Sequence, residues 1–258
     1  MVSNIMEKLV IYAAGSLRLA LPAIAEQVTQ LYSTQIEFKF APAGLLYEKI
    51  IQESVHPYAH LFASANTLHP QNLIRNNLAS SHHIFAGNRL CLIVRNQPQL
   101  TTLDSLSLLF NSNLKIGMST PLKDPSGDYT FSLFDNIELR YHGKGEELKK
   151  RAKQLVGNTL SPSTPKGIHP AEYFLLNNIV DIYIGYANYA AKILTNPKLA
   201  IIELPAELMP TINYSIALLN HFHPKATSFI NYLLSEQGQN YLVDNGFKRN
   251  FDKKETIK

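Results

Sequence analysis

Residues 9–17 read LVIYAAGSL, an apolar run that ends in Ala-Ala-Gly-Ser and passes into a helical stripe of apolar residues. A hydrophobic strand, a small-residue turn and an amphipathic helix together make a βα unit, whose strand is buried on both faces. The spacing predicts a helix that begins at Ser16 and places Leu17, Leu21, Ile24, Val28 and Leu31 on one face. Pro22 falls inside that helix, removes one internal hydrogen bond and predicts a kink. The rhythm repeats. IEFKF over 36–40 reads as a strand, followed by Ala41-Pro42-Ala43-Gly44 and a helix over 45–53; LFASA over 61–65 reads as a third strand, with a helix over 70–78. Such alternation predicts an α/β architecture with largely parallel sheets.

The rhythm changes in two places. IFAGNRLCLIVRN over 84–96 and TINYSIALL over 211–219 are long extended stretches, with a further strand over 114–118 between them. Two such crossings predict two lobes built from a discontinuous chain, residues 1–88 with 212–258 and residues 89–211, joined at a hinged cleft of the kind that takes ligands. A last helix over 224–243 returns to the first lobe, and Asn245-Gly246 supplies a left-handed stop. No internal repeat or low-complexity segment interrupts this plan.

Composition narrows the classes. The chain of 258 residues is 45% hydrophobic and 17% charged, and no apolar run reaches the roughly 20 residues of a membrane helix. A net charge of +4 is too small to argue for nucleic acid. The densest basic run, KGEELKKRAK over 144–153, interleaves Glu146 and Glu147 at helical spacing and reads as a solvated helix face. The lone cysteine, Cys91, lies in an apolar run and reads as a small core residue. Residues 1–8 lack the basic start and apolar stretch of a secretory leader, so the cytosol and export both stay open; the terminal KRNFDKKETIK reads as a hydrated tail.

Four small-residue turns carry the functional signal: Ala14-Gly15-Ser16, Pro42-Ala43-Gly44, Ala63-Ser64-Ala65-Asn66 and Asp124-Pro125-Ser126-Gly127. Each sits at a strand end or helix start, where backbone N–H groups lack internal partners and where open α/β sheets place their ligands. Any one of them is also an ordinary helix cap. Hydroxyls and amides donate without adding charge, which suits a fully ionised oxyanion. At roughly 1.5–3 kcal/mol for each hydrogen bond to a charged group, about five suffice for micromolar binding.

The segments YAAGSL over 12–17, FASAN over 62–66, DPSGDY over 124–129 and SEQGQ over 235–239, with the closing Asn245-Gly246-Phe247, resemble the molybdate-binding proteins, the substrate-binding components of bacterial ABC transporters. The resemblance spans nearly the whole chain in the same order. It implies a two-lobed periplasmic-binding-protein fold of type II that closes on molybdate or tungstate, without a cofactor or a cationic metal. It also implies a monomer, a periplasmic location and a membrane permease as partner. Carried over, Ser16 and Ser64 are first-lobe ligands, Ser126 a main-chain donor, Tyr186 a hydroxyl ligand, and the loop at Gly167 a further amide. Two positions depart from the family pattern: Ala43 stands where a serine ligand is common, and His60 where an aspartate is common.

Other readings remain. The same fold without a permease would make a cytosolic oxyanion sensor, and the ligand could be sulfate, phosphate or ferric ion. Tyr183, Tyr186 and Tyr189 at three-residue spacing suit iron, and His82-His83 or His221-x-His223 suit a metal, though none has a convincing partner set. No Gly-x-Ser-x-Gly elbow, P-loop or His-Glu-x-x-His motif is present, so catalysis has no positive support.

Overall fold

The computed structural model describes residues 8–158 and 160–249. The N-terminal residues read for a leader, and most of the terminal tail, lie outside that set. Two compact units divide the chain: Met1–Gly87 with Asn213–Lys258, and Asn88–Ile212.

Unit 1 opens with β1 (Leu9–Ala14), every residue of which is buried. It continues through α1 (Leu21–Tyr32), β2 (Ile36–Ala41), α2 (Ala43–Gln52), β3 (Leu61–Ser64), α3 (Leu68–Arg75) and β4 (Ala79–Asn88). Unit 2 holds β5 (Leu90–Arg95), α4 (Pro98–Thr101), α5 (Ser105–Phe110), β6 (Ile116–Ser119), α6 (Pro125–Arg140), α7 (Lys144–Arg151), β7 (Lys153–Val156), α8 (Pro170–Leu176), β8 (Ile182–Tyr186), α9 (Ala190–Ile193) and β9 (Leu199–Glu203). The chain then returns along β10 (Ile212–Leu219) to α10 (Ala226–Leu234), α11 (Glu236–Asp244) and β11 (Lys248–Arg249) in unit 1.

Each unit is built on its own α/β sheet, ordered β11-β4-β10-β3-β1-β2 in the first and β7-β6-β8-β5-β9 in the second. The sheets are mixed rather than mostly parallel. β1 pairs parallel to β2 and β3, and β6 parallel to β7 and β8, as βα repeats require. The extended crossings account for the rest: β10 runs antiparallel to β3, and β5 runs antiparallel to β8 and β9.

Local chemistry moves several helix boundaries. Gly15–Leu17 form a short 3-10 turn, and α1 starts only at Leu21, which places Pro22 in the first helical turn. There the missing N–H would have had no partner, so Pro22 starts the helix instead of kinking it. The terminal helix is two helices, because Ser235 adopts extended backbone and its hydroxyl accepts from the Gly238 N–H at 3.2 Å, capping α11. Gly246 closes it at φ 78°, a left-handed conformation that glycine adopts without strain.

The basic run lies on α7, where Lys149 pairs with Asp135 and Glu146, and Lys144 with Glu147. Cys91 is fully buried on β5, and that burial pushes its thiol up to about 12.

Candidate functional site

The registers of the two sheets decide which turns share an edge. In unit 1, Ala14 lies opposite Ala41, Ala13 opposite Ala63, and Ser64 opposite Ser215. The turns that follow β1, β2 and β3 therefore stand side by side at one carboxyl edge, bringing Ser16, Ala43 and Ser64 together. None of the turn residues Gly15, Ser16, Pro42, Ala43, Gly44, Ser64, Ala65 and Asn66 carries a formal charge.

These three positions are unlike one another. Ser16 is nearly buried, and its oxygen accepts a 2.8 Å hydrogen bond from the Tyr214 hydroxyl of β10, a partner 198 residues away. Ser64 is fully buried and turned inward: its hydroxyl donates to Asn66 Oδ1 at 3.0 Å and accepts from the Asn66 N–H at 3.3 Å. Asn66 Oδ1 also accepts from the His69 N–H at 3.1 Å, so Ser64 here braces its own turn. Ala43 is the first residue of α2, whose N-cap is Pro42, and no side chain caps that helix. Its first-turn amides are the uncapped helix N-terminus of this edge.

Unit 2 builds the corresponding edge differently. Ser119 is in register with Val156, and β8 lies alongside β6, so the segments after β6, β7 and β8 gather at one carboxyl edge. Ser126, in the first turn of α6, and Tyr186, at the end of β8, lie on that edge, both buried. The Ser126 N–H donates to Asp124 Oδ1 at 3.1 Å, so a carboxylate occupies the donor anticipated for an anion. Some of the Asp124 surface still meets solvent, but its carboxyl is enclosed. That enclosure raises it to about 6, against hydrogen bonds from Ser126 and Ser119 and with added repulsion from Asp128.

Gly127 lets the β6–α6 loop fold onto the helix. A Cβ there would lie 2.6 Å from Ser119 O, Thr120 C and Pro121 N. Gly167 is exposed, with φ +87° and open space around it, in the connection between β7 and α8.

The alternative metal sets separate. Tyr183 packs into the unit 2 core and stacks on Phe174, and its burial raises the phenol. Tyr186 points to the other face of the same strand, because side chains alternate. Tyr189 lies against His169, 4.6 Å between ring centres. Among the described residues no group of three histidine, cysteine, aspartate or glutamate side chains could hold a metal ion.

His60 is a packing residue at the amino end of β3. Its Nδ1 accepts from the Val10 N–H at 2.9 Å, and its ring stacks on His221. A cavity of about 110 Å³ opens at that same opposite edge, lined by Glu53, Tyr58, Asn77, Leu219 and His221, and contains none of the anticipated donors.

Residues 9–248 match the model of the bacterial extracellular solute-binding proteins. The chain belongs to this family. It is a solute-binding protein of the ABC-transporter type, with a ligand and a membrane permease as its kinds of partner. It is 40% identical over 245 residues to uncharacterized protein PM1146 of Pasteurella multocida (strain Pm70), covering 92% of this chain and 97% of that one. The periplasmic molybdate-binding protein of Azotobacter vinelandii superposes with a TM-score of 0.72 at 15% identity, over 94% of this chain and all of the other. The sulfate-binding protein SubI of Mycobacterium tuberculosis H37Rv superposes with a TM-score of 0.74 at 14% identity, over 95% of this chain and 88% of that chain. At these identities the likeness is one of fold: two α/β units, each with a mixed sheet. No helix among the described residues is long and apolar enough to cross a membrane.

His69 and Asp124 take part in these edges, and neither side chain was assigned a role from the sequence, where Asp124 was named only as a member of its turn. Asp124 had a local signal, since it precedes Pro125 at a helix start, where aspartate is a favoured cap. His69 had none, because its environment is made by α2, which packs on it from elsewhere in the chain.

Proposed function

We propose that this solute-binding protein captures a tetrahedral oxyanion, molybdate or tungstate, outside the cytoplasm and delivers it to the permease of an ABC transporter. The observation that carries the reading is the carboxyl edge of the unit 1 sheet. It offers a hydroxyl oriented by Tyr214 and an uncapped α2 N-terminus, with no charged side chain in its three turns. Neutral donors of this kind hold a dianion by charge-assisted hydrogen bonds. In this reading Ser16, the Ala43 and Gly44 amides and the Ser64 turn receive the anion. The Gly167 loop and Tyr186 of unit 2 are the further ligands that the family resemblance implies, whereas the Ser126 N–H is already taken by Asp124. The protein acts as a monomer, without cofactor, catalysis or nucleic acid.

A second reading rests on Asp124. A carboxylate at the start of α6 favours an oxyanion that still carries a proton to donate, which hydrogen phosphate does and molybdate does not. A thermal-shift screen at neutral pH against molybdate, tungstate, sulfate, phosphate and ferric ion separates the readings. A ligand that binds only the folded state raises its stability by mass action. The largest shift is expected with molybdate or tungstate. Phosphate ahead of both would establish the second reading, and no shift with any oxyanion would end both.

A further inference from the structure

The unit 1 edge lacks a hydroxyl at Ala43, yet a polar side chain with no stated role lies close by. His69 is the second residue of α3 and is 9% exposed. Its ring stacks on Tyr47 of α2, 4.9 Å between centres and 18° from parallel. Tyr47 lies one turn beyond Ala43 and therefore on the same helix face. The backbone N–H of His69 is tied to Asn66, the residue that also holds the Ser64 hydroxyl. The imidazole is thus fixed between the first turns of α2 and the Ser64–Asn66 turn. Its Nε2 is buried without any hydrogen-bond partner.

A buried polar atom without a partner costs about 1–3 kcal/mol, and packing alone gives no reason to keep one against Tyr47, one turn along the helix whose N-terminus is uncapped. Burial pulls the imidazole down to about 4, against the opposing pull of Glu48, so the ring is neutral at physiological pH. A neutral imidazole keeps one N–H to donate, and turning the ring exchanges its two nitrogens. This makes His69 a donor of the same uncharged kind as the hydroxyls around it.

We infer that His69 is an oxyanion-binding residue that supplies, beside the amides at the start of α2, the hydrogen bond a serine at position 43 would have made. The inference rests on the oxyanion reading above and adds a residue to its site. The ligand class is an anion rich in acceptors, because a neutral N–H next to uncapped amides offers donors only.

The test titrates sodium molybdate into the full chain by calorimetry, for the wild type, His69→Phe and His69→Gln. Phenylalanine keeps the stack on Tyr47 and removes both nitrogens, whereas the glutamine amide can replace the Nε2 donor. The expected result is a loss of about ten-fold or more in affinity for His69→Phe, with a melting temperature equal to or above the wild type, and a loss within about three-fold for His69→Gln. Wild-type affinity in His69→Phe overturns the assignment. Equal losses in both variants overturn it as well, since packing rather than hydrogen bonding would then be the cause. If wild type itself fails to bind molybdate and every other oxyanion, the functional reading falls and this inference with it. Binding by wild type together with an unaffected His69→Phe removes only His69.

Discussion

The carboxyl edges of the two sheets are made from the same βα grammar and differ in charge. In unit 1, α2 begins after a proline that caps nothing, and the neighbouring turns present only neutral groups. In unit 2, α6 begins at Asp124, whose carboxylate satisfies the Ser126 amide from within the chain. One helix N-terminus is capped by no side chain, and the other already holds an anion belonging to the protein. Under the proposed function the contrast favours the unit 1 edge as the receiving one, because no side chain of the protein occupies its helix N-terminus.

The largest way to break the comparison is to remove the fit that places Asp124. Gly127→Ala would push a methyl group into three backbone atoms of the β6–α6 loop. A destabilisation of about 3 kcal/mol is expected by urea unfolding, since backbone cannot yield as a side-chain tip does. A cost below about 1 kcal/mol would mean that the loop need not pack so closely.

Next in size is the unit 1 donor. Ser16→Ala removes a hydroxyl that Tyr214 orients, and should weaken oxyanion binding by about 2 kcal/mol in calorimetry while leaving the fold intact. Unchanged affinity would count decisively against this edge as the receiving one.

Asp124→Asn sharpens the comparison by making the two edges alike in charge. The folded-state value near 6 lies above the ordinary 3.8, so the folded protein binds more protons than the unfolded chain between those values. Stability contributed by this group is thus highest in acid and falls as pH rises toward 6. Asparagine keeps a cap and removes the enclosed charge. The variant should be more stable than wild type by about 1–2 kcal/mol at about pH 8, with the gain vanishing below about pH 4.

The smallest effect belongs to the basic helix. Lys149→Met breaks two exposed pairs, with Asp135 and Glu146, and should change stability by no more than about 0.5 kcal/mol. Anion affinity should not move. A salt-sensitive loss of binding to duplex DNA in this variant would overturn the reading of α7 as a solvated face.

Much of the plan was legible because it is written in short-range pattern. The apolar run of β1, the alternation through β3, the burial of Cys91 and the left-handed stop at Gly246 each follow from a few neighbouring residues. The errors came where local signals compete. Pro22 reads as a helix breaker unless the helix starts beside it, and the 3-10 turn at Gly15–Leu17 delays that start. Ser235 sits in a continuous helical pattern, yet its extended backbone and capped Gly238 divide the helix in two.

By itself the sequence determined the βα repeats, the two crossings and the identity of the turns at the strand ends, since hydrophobic period and turn chemistry act within a few residues. Tertiary structure decided the direction of the crossing strands, because sheet order joins segments far apart in the chain. It also decided what each turn residue is bonded to: Tyr214 for Ser16, Asn66 for Ser64, Asp124 for the Ser126 amide, and nothing for His69 Nε2. A hydroxyl or an amide announces only that it can donate. Which partner it meets depends on which strands stand beside it.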